Sequence, residues 1–168
     1  MHHVSDAAML FALVLSAAGL VWAAASDVSR YLIPNRVCLL VAASYLPTAA
    51  ALPFGAWLAG LAIGVLTLGV GLVLFARGWV GGGDVKLATA IALWAGPAYL
   101  SGFALVTSLA GVALAVLMLS PARRLMPRPA KIEGAAESDA GLAQPMPFGA
   151  PLAVGGAWVL VQHLTATF

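Results

Sequence analysis

Apolar runs separated by short groups of polar residues, proline and glycine predict helices at 6–26, 36–52, 56–77, 85–96, 98–120 and 148–167. Most approach twenty residues, about what a helix needs to cross the ~30 Å hydrocarbon core of a bilayer. The pattern predicts an all-α, polytopic integral membrane protein with about six transmembrane helices, organised as one membrane-embedded unit over 1–168. The segment 85–96 is the short one. It rises only about 18 Å at 1.5 Å per residue, so it must tilt or be buried in protein.

The chain has 168 residues, 62% hydrophobic and 8% charged, which agrees with a bilayer as its solvent. Its formal charge of +2 is too small to argue for nucleic acid as a partner, but the distribution of charge is informative. Six crossings put the loops near 27–36, 78–86 and 121–147 on one side and those near 53–55 and 97 on the other. Arg30, Arg36, Arg77, Lys86, Arg123, Arg124, Arg128 and Lys131 then all fall on the first side, which the positive-inside rule makes cytoplasmic. Both termini are expected outside. No Lys or Arg precedes the first apolar run, so it reads as a retained span and not as a cleaved signal. The Pro-rich, acidic stretch 121–147 has neither helical nor alternating period and reads as a cytoplasmic loop. Small residues recur through the spans, as at Gly60, Gly64, Gly69 and Gly71, where they allow close backbone approach between helices.

Two carboxylates stand out against this apolar background. Asp27 ends the first run and precedes Ile33-Pro34-Asn35, while Asp84 closes Gly81-Gly82-Gly83 and opens Val85-Lys86-Leu87. A charge near lipid is costly, which makes such residues functional candidates. Topology puts both at one membrane boundary. Brought within hydrogen-bond reach, two carboxylates share one proton, because like charges that close cannot both ionise. The ionised member can then take a proton from water while the protonated member donates to a peptide carbonyl, with neither metal nor covalent intermediate.

Structural readings compete at each position. Asp84 suits a helix cap, and Asp27 could simply pair with Arg30, although the negative end of its own helix opposes it. Glycines at 81–83 allow positive φ and close approach of another chain. Pro34 and Asn35 read as loop-ending and capping residues, and Lys86 as a charge partner, a substrate contact or a snorkelling anchor. Ser26, Ser29 and Cys38 lack a neighbouring base, Trp79 and Trp94 read as interfacial or packing aromatics, and His163 lies far from the carboxylates. One cysteine and three histidines, His2, His3 and His163, form no metal-site spacing, so neither metal nor cofactor is expected.

Asp27 with Ile33-Pro34-Asn35, then Gly81-Gly82-Gly83-Asp84-Val85-Lys86-Leu87, resembles the two-motif signature of type IV prepilin peptidases, bacterial GxGD-type membrane aspartyl proteases. Trp94-Ala95-Gly96-Pro97 and Pro147-Phe148-Gly149 are also similar to the family, although Phe148 stands where Tyr is frequent and Ala150-Pro151 departs from the usual small apolar run. The resemblance implies a bacterial inner-membrane enzyme that removes the basic leader of pilin or pseudopilin precursors on the cytoplasmic side. Asp27 and Asp84 would be catalytic, and Gly81 and Gly83 the motif glycines. The short length is similar to peptidases of Tad-type (Flp) pili. The cysteine-bearing region that accompanies N-methylation in larger members is not part of this sequence, so methylation is not implied. A GxGD protease of other substrates, such as a preflagellin peptidase, and a non-enzymatic scaffold or proton-coupled carrier are the alternatives. The oligomeric state is left open.

Overall fold

The computed structural model describes residues 2–120 and 146–167, and every described regular element is helical. Helix α1 spans His2–Arg30, α2 Asn35–Ala43, α3 Phe54–Ala76, α4 Gly82–Leu119 and α5 Gly149–Thr167, with a 3-10 turn at Leu46–Ala50. Three of them are long and apolar enough to cross a membrane: α1 from Ser5, α3 and α4. Length and composition alone do not confirm the six crossings expected. The run 36–52 is apolar throughout but is no single helix, because α2 stops at Ala43 and Pro47 sits in the 3-10 turn that follows. Most of the expected 121–147 loop lies outside the described residues.

α4 joins the two segments expected at 85–96 and 98–120, yet the chain does reverse between them. Gly96, at φ 50° and ψ −167°, breaks the helix immediately before Pro97. Contacts with α5 give the directions of the two arms. Along the first arm, Ile91 packs at Gly156 and the Trp94 carbonyl meets His163 Nε2 at 2.7 Å, so arm and α5 run parallel. Along the second, Trp158 packs at Gly102, Thr107 at Gly155 and Phe148 at Gly111, so arm and α5 run antiparallel. α4 is thus a hairpin whose arms, 82–95 and 97–119, share a neighbour.

The first arm is the centre of the bundle. Leu87, Ala90, Ile91 and Trp94 are almost fully buried, whereas α3 covers it on one side with most of its own apolar surface turned outward. That outward face belongs against lipid, since exposed apolar surface of this extent is unfavourable in water. The small residues of α3 do part of what their spacing predicts. A methyl group at Gly71 would lie 2.6 Å from Val85 Cγ1, and one at Gly60 2.6 Å from the Leu93 carbonyl oxygen, so both bring α3 close to α4. Gly69 has open space around it and takes no part.

At the end of the bundle opposite the carboxylates, Tyr45 stacks on Trp57 at 6.0 Å and meets the edge of Trp94 at 5.8 Å. The Tyr45 hydroxyl donates to the Trp57 carbonyl and the Trp94 indole N–H to the Val41 carbonyl, so these two rings bury area with their polar atoms satisfied, whereas the buried Trp57 indole N–H has no partner among the described residues. His163 lies here, remote from Asp27 and Asp84, as the sequence indicates.

Candidate active site

Asp27 sits in the last turn of α1. The helix ends one turn later at Tyr31, whose φ of 53° puts a bulky residue in the left-handed conformation where glycine is usual, and whose N–H bonds the Asp27 carbonyl at 2.8 Å. Ser26 Oγ donates to the Leu32 carbonyl at 2.7 Å and holds the returning strand against the helix. Ile33 is thereby turned inward, 8% exposed, and Pro34 starts α2 as its N-cap residue. Asn35 is the first helical residue and not the cap expected of it. Its side-chain oxygen instead accepts a 2.8 Å hydrogen bond from Lys86 Nζ, which ties the start of α2 to the start of α4.

Asp84 lies in the first turn of α4. Gly81 is the N-cap, in extended conformation at φ −69°, and Gly82 and Gly83 are already helical. None of the three uses the positive φ that glycine permits; in this region that conformation falls at Gly78 and Tyr31. What the glycines provide is room. A methyl group at Gly83 would lie 3.3 Å from Ile33 Cβ, and one at Gly82 3.2 Å from the Phe75 ring. Asp84 does not cap α4 as an N-cap residue, but its carboxylate accepts the Gly81 N–H, the reach-back half of a capping box.

Ile33 joins the pieces. Its side chain packs on Gly83 at one end of α4 and on Gly149 at the start of α5, where Asp27 also lies. Asp27 Oδ2 accepts the Gly149 N–H at 2.6 Å and the carboxylate also takes the Ala150 N–H. These donors, and not Arg30, are the partners of Asp27. The unfavourable end of its own helix is offset by the favourable N-terminus of α5. Asp27 is 5% exposed, Asp84 is half-buried, and the two are close enough for the charge of Asp27 to act on Asp84. Both carboxylates are therefore held by main-chain N–H groups at the N-termini of two parallel helical segments.

The remaining candidates are placed without a reactive partner. Cys38 is buried with its thiol directed at the Gly83 carbonyl, 4.0 Å away. Ser29 donates to the Ala25 carbonyl of its own helix. Trp79 is exposed under the Arg77 guanidinium, 5.5 Å from its ring centre, and Trp94 is core. Gly149 is the residue that reading by motif did not assign to the site. Its only sequence signal was Pro147-Phe148-Gly149, which carries no titratable group.

An all-helical membrane protein with two adjoining carboxylates on separate helix ends defines a class in which aspartyl chemistry is possible. The sequence profile of the type IV leader peptidase family matches residues 12–116, which include Asp27, Ile33-Pro34-Asn35 and Gly81 to Leu87. The chain belongs to this family, whose members are aspartic peptidases. No curated protein and no solved structure matches the chain.

Proposed function

We propose that the protein is a prepilin leader peptidase in which Asp27 and Asp84 activate water for cleavage of the basic leader of a type IV-like pilin precursor, of the Flp/Tad kind. The observation that carries this reading is the convergence of the two carboxylates at one end of the bundle, joined through Ile33, Gly83 and Gly149. One carboxylate is ionised and takes a proton from water as the water oxygen bonds to the scissile carbonyl carbon. The other donates its proton to the carbonyl oxygen. Collapse of the tetrahedral species breaks the C–N bond as the proton taken from water passes to the leaving amine, and the hydroxyl formed at the former carbonyl oxygen returns its proton to the carboxylate that donated it. Gly81 and Gly83 act by leaving room, and Pro34, Asn35 and Lys86 by fixing α2 against α4.

The cationic residues Arg30, Arg36, Arg77 and Lys86 cluster by sequence around the ends that carry the carboxylates, which supports a cytoplasmic placement in the bacterial inner membrane. Co-expression with a pilin precursor tests the reading. Wild type is expected to remove a leader-sized mass, and Asp27→Asn and Asp84→Asn, inserted at normal levels, to leave the precursor intact. Processing that survives both substitutions removes the aspartyl mechanism.

A further inference from the structure

At the end of the bundle opposite the carboxylates, a cavity of about 540 Å³ lies between α3, the break in α4 and the last turns of α5. Its size falls within the roughly 300–1,000 Å³ usual for small-molecule sites. Tyr45, Trp94, Tyr99 and His163 line it, and among the described residues no charged side chain does. Most side-chain donors of this wall are already spent. The Tyr45 hydroxyl bonds the Trp57 carbonyl, the Trp94 indole N–H the Val41 carbonyl, and the Thr167 hydroxyl the His163 carbonyl at 2.8 Å. His163 is only 9% exposed, and its Nε2 meets the Trp94 carbonyl oxygen at 2.7 Å. A carbonyl can only accept, so in the neutral ring Nε2 carries the proton and Nδ1 is left as a lone-pair acceptor. Neither Nδ1 nor the hydroxyl of Tyr99, whose ring adjoins His163 at 5.2 Å between centres, has a hydrogen-bond partner among the described residues.

The backbone points the same way. Gly96 ends the first arm of α4 and Pro97 has no N–H to give back to it, so the negative end of that arm, Leu93 to Ala95, falls in the cavity wall. A helix C-terminus and the faces of aromatic rings both attract cations, and a wall with so few free donors has little to hold an anion. A metal ion is also badly served. The wall supplies one imidazole with neither carboxylate nor thiolate, and no metal-holding group of His, Cys, Asp or Glu occurs among the described residues. What fits is a cation that brings its own N–H donors. We propose that this cavity binds a primary ammonium group, carried by an ethanolamine-type lipid headgroup or by a free amine, which donates to His163 Nδ1 and the Tyr99 oxygen. The groove of about 560 Å³ between α1 and α5 makes the contrast, since apolar side chains alone line it and give an ammonium nothing to bond. The ammonium site is separate from Asp27 and Asp84 and does not depend on the reaction they carry out.

The test uses the full chain in detergent with dihexanoyl phosphatidylethanolamine, its N-trimethyl analogue dihexanoyl phosphatidylcholine, and ethanolamine as probes. Affinity is read from the rise of the thermal midpoint with probe concentration. Phosphatidylethanolamine should bind about tenfold or more tightly than phosphatidylcholine, whose ammonium has no N–H to donate. Ethanolamine binding as tightly as the lipid identifies a free amine as the source, and binding of the lipid alone identifies a headgroup; both support the ammonium site. Ala56 and Ala157 are exposed alanines, the first on this cavity and the second on the α1/α5 groove, so Ala56→Trp and Ala157→Trp make a matched pair. Ala56→Trp should fill the cavity and weaken the favoured probe about tenfold or more, with Ala157→Trp close to wild type. Should Ala56→Trp not insert, Tyr99→Phe decides, since it removes one acceptor, keeps the ring and should cost about tenfold in affinity. Equal binding of phosphatidylethanolamine and phosphatidylcholine, affinity unchanged in Ala56→Trp or Tyr99→Phe, or no shift with any probe overturns the proposal.

Discussion

Replacing Gly149 by alanine adds one methyl group at the point where α1, α4 and α5 meet. That carbon would lie 2.7 Å from Ile33 Cδ1, 2.8 Å from Asp27 Oδ2 and 2.9 Å from Asp27 Cγ, all closer than real contacts allow. Helix propensity alone favours alanine by about 0.5–1 kcal/mol, since Gly149 lies in α5 without a positive φ. Against this, overpacking costs about 1–3 kcal/mol. If Asp27 is the group that yields, it gives up a charge-assisted hydrogen bond worth about 1.5–3 kcal/mol. The net effect on stability is a loss of about 0–2.5 kcal/mol if Ile33 yields and about 1.5–5.5 kcal/mol if Asp27 does, against the roughly 5–15 kcal/mol that holds a folded protein. The effect on catalysis should be larger, because a shift of about 1 Å in a reacting group costs about 100-fold in rate. Leader removal from a purified precursor should show kcat reduced about 100-fold with KM within about threefold of wild type. Gly55→Ala, at a site with nothing within 4 Å, is the control and should process normally. Gly149→Ala acting within about threefold of wild type would refute the assignment of the α5 N-terminus as the clamp that positions Asp27.

Two further outcomes follow from the geometry. Gly96→Ala forces a side chain into φ 50°, ψ −167°, a conformation other residues rarely adopt, and should destabilise the protein by about 1–3 kcal/mol, read as a lower thermal midpoint in detergent. The 2.8 Å bond between Lys86 and Asn35 is exposed, so Lys86→Ala and Asn35→Ala should each cost about 1 kcal/mol or less, and the double variant no more than the larger single effect; additive losses in a double-mutant cycle would dissolve the pairing.

Local pattern was enough for the elements that lipid and packing dictate. The runs 56–77 and 148–167 became Phe54–Ala76 and Gly149–Thr167, and the reversal expected near 97 occurs at Gly96. The run 36–52 was over-read because hydropathy does not register that Pro47 interrupts a helix ladder. The glycines before Asp84 illustrate a different limit. Their number signals a special backbone requirement, but whether it is conformational or spatial depends on Ile33 and Phe75, which arrive from elsewhere in the chain. The partner of Asp27 was harder still. Its hydrogen bond to Gly149 joins residues 122 positions apart, and a main-chain donor leaves no signature in side-chain chemistry.

The unequal arms of the α4 hairpin set a depth. Phe148 contacts Gly111 on the long arm and shares a cleft with Asp84 on the short one, so Val112 to Leu119 continue past the level of the carboxylates, about 12 Å at 1.5 Å per residue. The candidate site thus lies beside a helical arm that projects past it on one side. A bond on a soluble loop would have to pass that arm to reach it, whereas a bond just outside a membrane helix arrives at that level when its helix is seated. How far a chain is immersed, measured from the bond to the start of its apolar part, then becomes a dimension of recognition alongside the identity of its residues.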